Sequence, residues 1–226
     1  MMFGMVSLML FNVVDSFFVS QLGTKQLAAL GFTFPVSFTI ISLSIGLSIG
    51  TSATIARLIG SGASDKARQL TTDNLLITGL LMMVIATLAI LTIDPLFRLL
   101  GAGDDLLPYI HDYMSVWFAG AVFYVLIMVS NSSLRATGDT TTPALIMALS
   151  SILNMILDPL LIFGWGPFPQ MGIKGAATAS IIAWGATACL ALLNLYARKG
   201  LLVLHIESIS AAMQHWLTVM KIGFPA

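Results

Sequence analysis

The chain has 226 residues, of which 58% are hydrophobic and 9% charged, against about 25% charged in an ordinary soluble domain. Mean hydropathy is +0.96. Whole windows of about twenty residues carry no charge, which excludes water as the main solvent and makes the surround lipid. Ten Lys and Arg balance ten Asp and Glu, so the basic footprint of a nucleic-acid binder is missing. The one cysteine, Cys189, excludes an internal disulfide and reads as inert packing in an apolar run.

In chain order, the apolar stretch 2–22 is long enough to span and lacks both a basic leader and a cleavage site, so it reads as a first span rather than a signal peptide. Punctuation by Gly, Pro and charge predicts further spans near 33–57, 74–100, 109–134, 142–164 and 173–197. The fold class is all-α: a polytopic membrane protein whose residues 1–197 form one lobe, a bundle of six transmembrane helices. Most of the charge falls in the connections, at Lys25, then Asp65, Lys66, Arg68 and Asp73, then Asp104 and Asp105, then Arg135 and Asp139, then Lys174. Residues 198–226 turn amphipathic through Glu207, His215 and Trp216. They read as a cytoplasmic connecting segment leading to a seventh helix that the chain does not contain. Arg57, Lys66, Arg68, Arg135, Arg198 and Lys199 outnumber Lys25, Arg98 and Lys174 on the opposite side. This bias predicts a multi-pass protein of the cell's inner (plasma) membrane with its N-terminus in the cytoplasm.

Two acids stand out. Asp94 beside Pro95 and Asp112 beside His111 read as interfacial, but Asp15 lies inside the first span and Asp158 inside the fifth. A carboxylate within a span costs at least a few kcal/mol and marks a functional site. Counted at 1.5 Å per residue from the span ends, Asp15, Asp158 and Thr178 all lie roughly 8 to 10 Å below one surface. Asn154 precedes Asp158 by four residues and Asn12 precedes Asp15 by three, so each pair shares a helix face. Pro159 has no amide hydrogen and frees the carbonyl of Met155 beside Asp158. Carboxylate, amide, hydroxyl and carbonyl oxygens are ligands for a hard cation such as Na+, and the same acids can carry protons instead. The alternative is that Asp15 and Asp158 only pin helices together through Asn and Thr. Gly46 and Gly50, and the run from Gly175 through Thr178 to Ser180, permit close helix packing. The thirteen Met and thirteen Phe read as packing and lipid-facing side chains rather than cargo contacts.

Four stretches carry a family likeness. They are Val14-Asp15-Ser-Phe-Phe-Val-Ser-Gln-Leu-Gly23 with Leu27-Ala-Ala29; Gly46 to Gly62; Arg135-Ala-Thr-Gly138-Asp-Thr-Thr-Thr-Pro143; and Asn154 through Gly164 leading to Gly172-Ile-Lys-Gly175-Ala-Ala-Thr178. Together they resemble the multidrug and toxic compound extrusion (MATE) transporters, in the prokaryotic branch with an acid in the first helix and Asn-x-x-x-Asp in the fifth. The resemblance implies two lobes of about six helices each around a central cavity, exporting organic cations, drugs and other amphipathic compounds against Na+ or H+ entry. It implies a cation site or protonation site within the first lobe at Asp15, Asn154, Asp158 and Thr178, with Asn12, Met155 and Pro159 in support. No cofactor is implied beyond the coupling ion. The implied partners are the bilayer, a small organic substrate, and a C-terminal lobe or second copy.

Other functions weigh less. A lipid-linked oligosaccharide flippase of the same superfamily wants cations facing a pyrophosphate, and here Arg57 alone qualifies, at a span end. An enzyme is not expected: His111, His205 and His215 are scattered, and no nucleophile stands beside a base. A non-transporting structural subunit or channel would pass ions without counter-moving cargo.

Overall fold

The computed structural model describes residues 13–198, 200–203 and 209–223, and every regular element among them is helical. Residues 13–20 form α1; residues 2–12 of the predicted first span, Asn12 among them, lie outside the described residues. Then follow α2 (Thr24–Gly60), α3 (Ser64–Leu91), α4 (Ile93–Leu99), α5 (Leu107–Ala136), α6 (Thr141–Phe163), α7 (Ile173–Leu193, continued by a π-helical turn Asn194–Arg198) and α8 (Ile209–Gly223). Five of these helices, α2, α3, α5, α6 and α7, are long and apolar enough to cross a membrane.

The third helix departs most from expectation. It starts at Ser64 rather than near 74 and stops at Leu91 rather than near 100, with α4 as a separate short helix. The early start follows from length: a helix need not begin where its apolar stretch begins, and the polar turn Ser64–Lys66 is already helical. The early stop follows from Pro95, which cannot donate to the Leu91 carbonyl four residues back. Asp73, expected among connecting charges, is therefore inside α3, and it is 1% exposed. Asp94 and Asp112 are both exposed, as their positions at span ends require.

α5 is the central element, packed on α2, α3 and α7. Its Ile110, Met114 and Phe118, with Phe97 of α4, are fully buried in the main core. The outer face of α3 shows Leu80, Val84, Leu88 and Leu91 to the outside. In water such a surface would be an aggregation site; in a bilayer it meets acyl chains. Cys189 corrects its expected place in the packing: it sits on the exposed face of α7.

Two glycines set the frame for the site. Gly164 ends α6 in the left-handed conformation, φ 73°, which glycine adopts without strain. Gly175 lets α7 start against the backbone of α6: a Cβ there would lie 2.5 Å from the Leu161 carbonyl oxygen. Asp139 caps the other end of α6, accepting from the Thr142 amide at 3.0 Å and from its hydroxyl at 2.9 Å.

A candidate cation site beneath an aromatic cavity

Helices α1 and α6, the first and fifth spans of an alternating bundle, run in the same direction and touch through Phe18 and Phe163, whose ring centroids are 6.2 Å apart. Asp15 precedes Phe18 by three residues and Asp158 precedes Phe163 by five. At 1.5 Å per residue both carboxyls therefore lie on the same side of that contact, about 4.5 and 7.5 Å along the axis. The two acids interact electrostatically, and both are buried, Asp158 completely.

Around them the polar partners are few. Asn154 Nδ2 donates to Asp158 Oδ1 at 3.2 Å, the i,i+4 geometry of one helix face, and also to Ser180 Oγ of α7 at 3.3 Å. Tyr113 of α5 lines the same cavity as Asp15. Asp15 Oδ1, Asn154 Oδ1 and Asp158 Oδ2 are buried with no hydrogen-bond partner among the described residues. Buried polar atoms are nearly always paired, because an unpaired one costs about 1–3 kcal/mol. Three orphan oxygens, two of them on acids, are the donor set of a hard cation or of a carboxyl that holds a proton.

The structure distributes the expected site residues unevenly. Asp15, Asn154 and Asp158 come together. Thr178 is half-buried on α7 and donates its hydroxyl to the Lys174 carbonyl at 2.8 Å, while Ser180, two residues further, is the hydroxyl that reaches Asn154. Two residues on a helix differ by about 200°, so these side chains leave α7 on nearly opposite faces. Pro159 lies within α6, and the Met155 carbonyl consequently has no amide to accept from at position 159. The Met155 side chain is exposed. Sequence reasoning misses Tyr113 and Ser180. The α5 aromatics Tyr113, Trp117 and Tyr124 fall at helical spacing on one face, a signal that is present in the sequence but indistinguishable there from core.

Those aromatics line a cavity of about 290 Å³ between α1, α2, α5, α6 and α7, with Asp15 in its wall. Trp117 and Trp184 meet edge to face at 5.9 Å, and Tyr124 lies 5.2 Å from Trp184. Phe34 and Phe38 on α2 and Met128 and Met147 also line it, so part of the Met and Phe complement does face a cavity. Among the described residues no Lys or Arg lines it. The space is aromatic-lined and largely apolar with an acid in its wall, a setting for cationic or aromatic molecules.

The chain is similar in sequence and fold to known proteins. Residues 1–160 match the MatE family. An FAD transporter of Shewanella oneidensis is 51% identical over 181 residues, 80% of this chain and 40% of that protein. A probable multidrug resistance protein of Bacillus subtilis, YoeA, is 32% identical over 206 residues, 86% of this chain and 44% of that protein. The crystal structure of the Vibrio cholerae MATE transporter VcmN in the bent form superposes with a TM-score of 0.87 at 35% identity, covering 99% of this chain and 51% of that one. The chain thus spans about half the length of these relatives. The family match over residues 1–160, the relatives and the all-helical fold agree, and the chain belongs to the MatE family of multidrug and toxic compound extrusion transporters.

Proposed function

We propose that the chain is the N-terminal lobe of a cation-coupled antiporter in the inner (plasma) membrane, with its N-terminus cytoplasmic, working with a C-terminal lobe or second copy. The observation that carries this reading is the set of three buried oxygens at Asp15, Asn154 and Asp158 that lack a partner among the described residues. Two carboxylates cannot share one low-dielectric cluster cheaply without a counter-charge. Na+ or a proton bound there cancels one of the two negative charges, and its release restores a charge that Asp15 presents to the cavity wall. Because Asp15 belongs to both the ion site and the cavity, ion binding and cargo binding are linked through one residue. Occupancy by the ion biases the lobe toward the state with weaker hold on a cationic cargo, and the linkage is reciprocal.

For cargo, the aromatic walls and the lack of Lys or Arg in the described cavity lining favour organic cations and amphipathic drugs over a pyrophosphate-bearing lipid. A second reading is a flavin cargo, favoured by the Trp117–Tyr124–Trp184 aromatic cluster together with the FAD transporter among the relatives. The isoalloxazine ring suits that cluster, whereas its diphosphate would need partners outside this cavity.

The test is efflux from cells that make the chain together with a second lobe, under an imposed Na+ gradient and, separately, a proton gradient, with ethidium and FAD as cargo. Coupled export should follow one gradient and vanish in Asp15→Asn. Export of either cargo that ignores both gradients, or survives Asp15→Asn unchanged, rejects the coupling role.

A further inference from the structure

α8 is held on the bundle by a separate set of contacts. Its Val219 belongs to a small second hydrophobic cluster with Leu47 and Ile55 of α2 and Ala67 and Leu70 of α3, apart from the main core. Two of its sites meet α2 backbone to backbone: a Cβ on Gly50 would collide with the Val219 carbonyl oxygen, and Gly46 and Gly223 press on each other's carbonyls in the same way. Glycine faces of this kind allow close approach but bury no side chain of their own. The polar part is equally compact. From α8, His215 Nδ1 donates to Asp73 Oδ2 at 2.7 Å; within α3, Gln69 Nε2 donates to Asp73 Oδ1 at 3.1 Å; and ahead of α8 the Val203 amide donates to Thr72 Oγ1 at 3.0 Å.

We propose that α8 is a latch on the α2–α3 end of the lobe, pinned by the Asp73–His215 contact and released as a unit when that contact is broken. Three features argue for a latch rather than a permanent wall. Asp73 is fully buried and so depends on its partners, whereas the His215 side chain is 33% exposed and open to competition by water. The apolar cluster that holds α8 fully buries Val219 alone of the α8 residues in it, with Trp216 and Met220 only partly buried against it. The glycine contacts re-form without any side chain having to repack, so the helix can leave and return without disturbing the main core around α5. Opening would bare the Gly46–Gly50 face of α2, making this seam the part of the lobe where a connecting segment can change position while the ion site stays assembled. The latch rests on the packing alone and holds whether or not the antiport reading is correct.

Hydrogen exchange on the complete chain in lipid nanodiscs, followed by mass spectrometry, tests it. A charge-assisted hydrogen bond is worth roughly 1.5–3 kcal/mol, so His215→Ala should speed exchange of the 209–223 amides about tenfold to a hundredfold and leave α5 and α7 unchanged. His215→Asn, whose Nδ2 can stand in for the ring Nδ1, should restore protection to within a few-fold. Gly50→Ala, which pushes on the Val219 backbone and alters neither Asp73 nor His215, should speed exchange of the same amides. The latch is rejected if His215→Ala leaves 209–223 protected, if it loosens α5 and α7 together with α8, or if His215→Asn fails to restore protection.

Discussion

Asp158→Asn is the sharpest perturbation of the ion site, because it changes charge with almost no change in volume. The amide that replaces the carboxylate can still accept from Asn154 Nδ2 through its own Oδ1, so the 3.2 Å contact on α6 survives as a neutral hydrogen bond. Its weakening by about 1 kcal/mol is opposed by the relief of no longer burying a second carboxylate next to Asp15. The net shift in stability should be small, a few degrees in Tm at most for a chain of this size. Ion affinity should respond very differently. Removing one member of a buried charge pair costs about 3–5 kcal/mol, which is roughly two to four orders of magnitude in Kd.

The assay is binding on the purified chain. Calorimetric titration with NaCl reports Na+ uptake, and potentiometry at fixed pH reports protons displaced as Na+ enters. In the wild type one or both signals should be present, and in Asp158→Asn both should disappear from the accessible concentration range while the melting curve stays in place. Retention of Na+ affinity within about fivefold, together with an unchanged proton count, would refute the assignment of Asp158 to the site. Loss of both signals with a collapse in Tm would show instead that Asp158 pins helices.

The α7 hydroxyls separate geometry from resemblance: Ser180→Ala should weaken ion binding about fivefold, by freeing Asn154 from its 3.3 Å anchor, while Thr178→Ala should leave it within about twofold in the same calorimetry. The reverse order would assign the role to Thr178. Gly175→Ala should lower stability by about 1–3 kcal/mol through the clash with the Leu161 backbone, whereas Gly185→Ala, with open space around it, should be neutral or slightly stabilising in thermal unfolding. Trp184→Phe removes part of the Trp117–Tyr124 wall and should weaken binding of ethidium or flavin by roughly two- to tenfold, read from fluorescence titration, without altering Na+ or proton binding.

Much of this architecture is legible in the sequence because the bilayer reduces folding to a question of length and charge: about twenty apolar residues between polar stretches have few alternatives to a spanning helix. The ends are less legible. The early start of α3 rests on polar residues that satisfy a helix as well as a loop, and hydropathy cannot tell a solvated helical turn from a connection. Asp73 reads as a connecting charge for that reason. Its burial depends on His215, 142 positions later, and no local pattern announces such a partner.

The ion site divides along the same line. Asp15 and Asp158 can be found because the cost of burying a carboxylate makes each one conspicuous by itself, and Asn154 because i,i+4 spacing fixes it to the same face. Depth is equally recoverable, since rise per residue is constant. Rotation is not: on α7, Thr178 and Ser180 differ by only about 3 Å in depth and both carry a hydroxyl, so a depth argument accepts either. The choice between them is made by where α7 turns as it leaves Gly175, and that is set by how closely its first turn can approach Leu161. The glycine that decides the hydroxyl thus lies five residues from it, and acts through backbone contact between helices, to which an account of one helix at a time is blind.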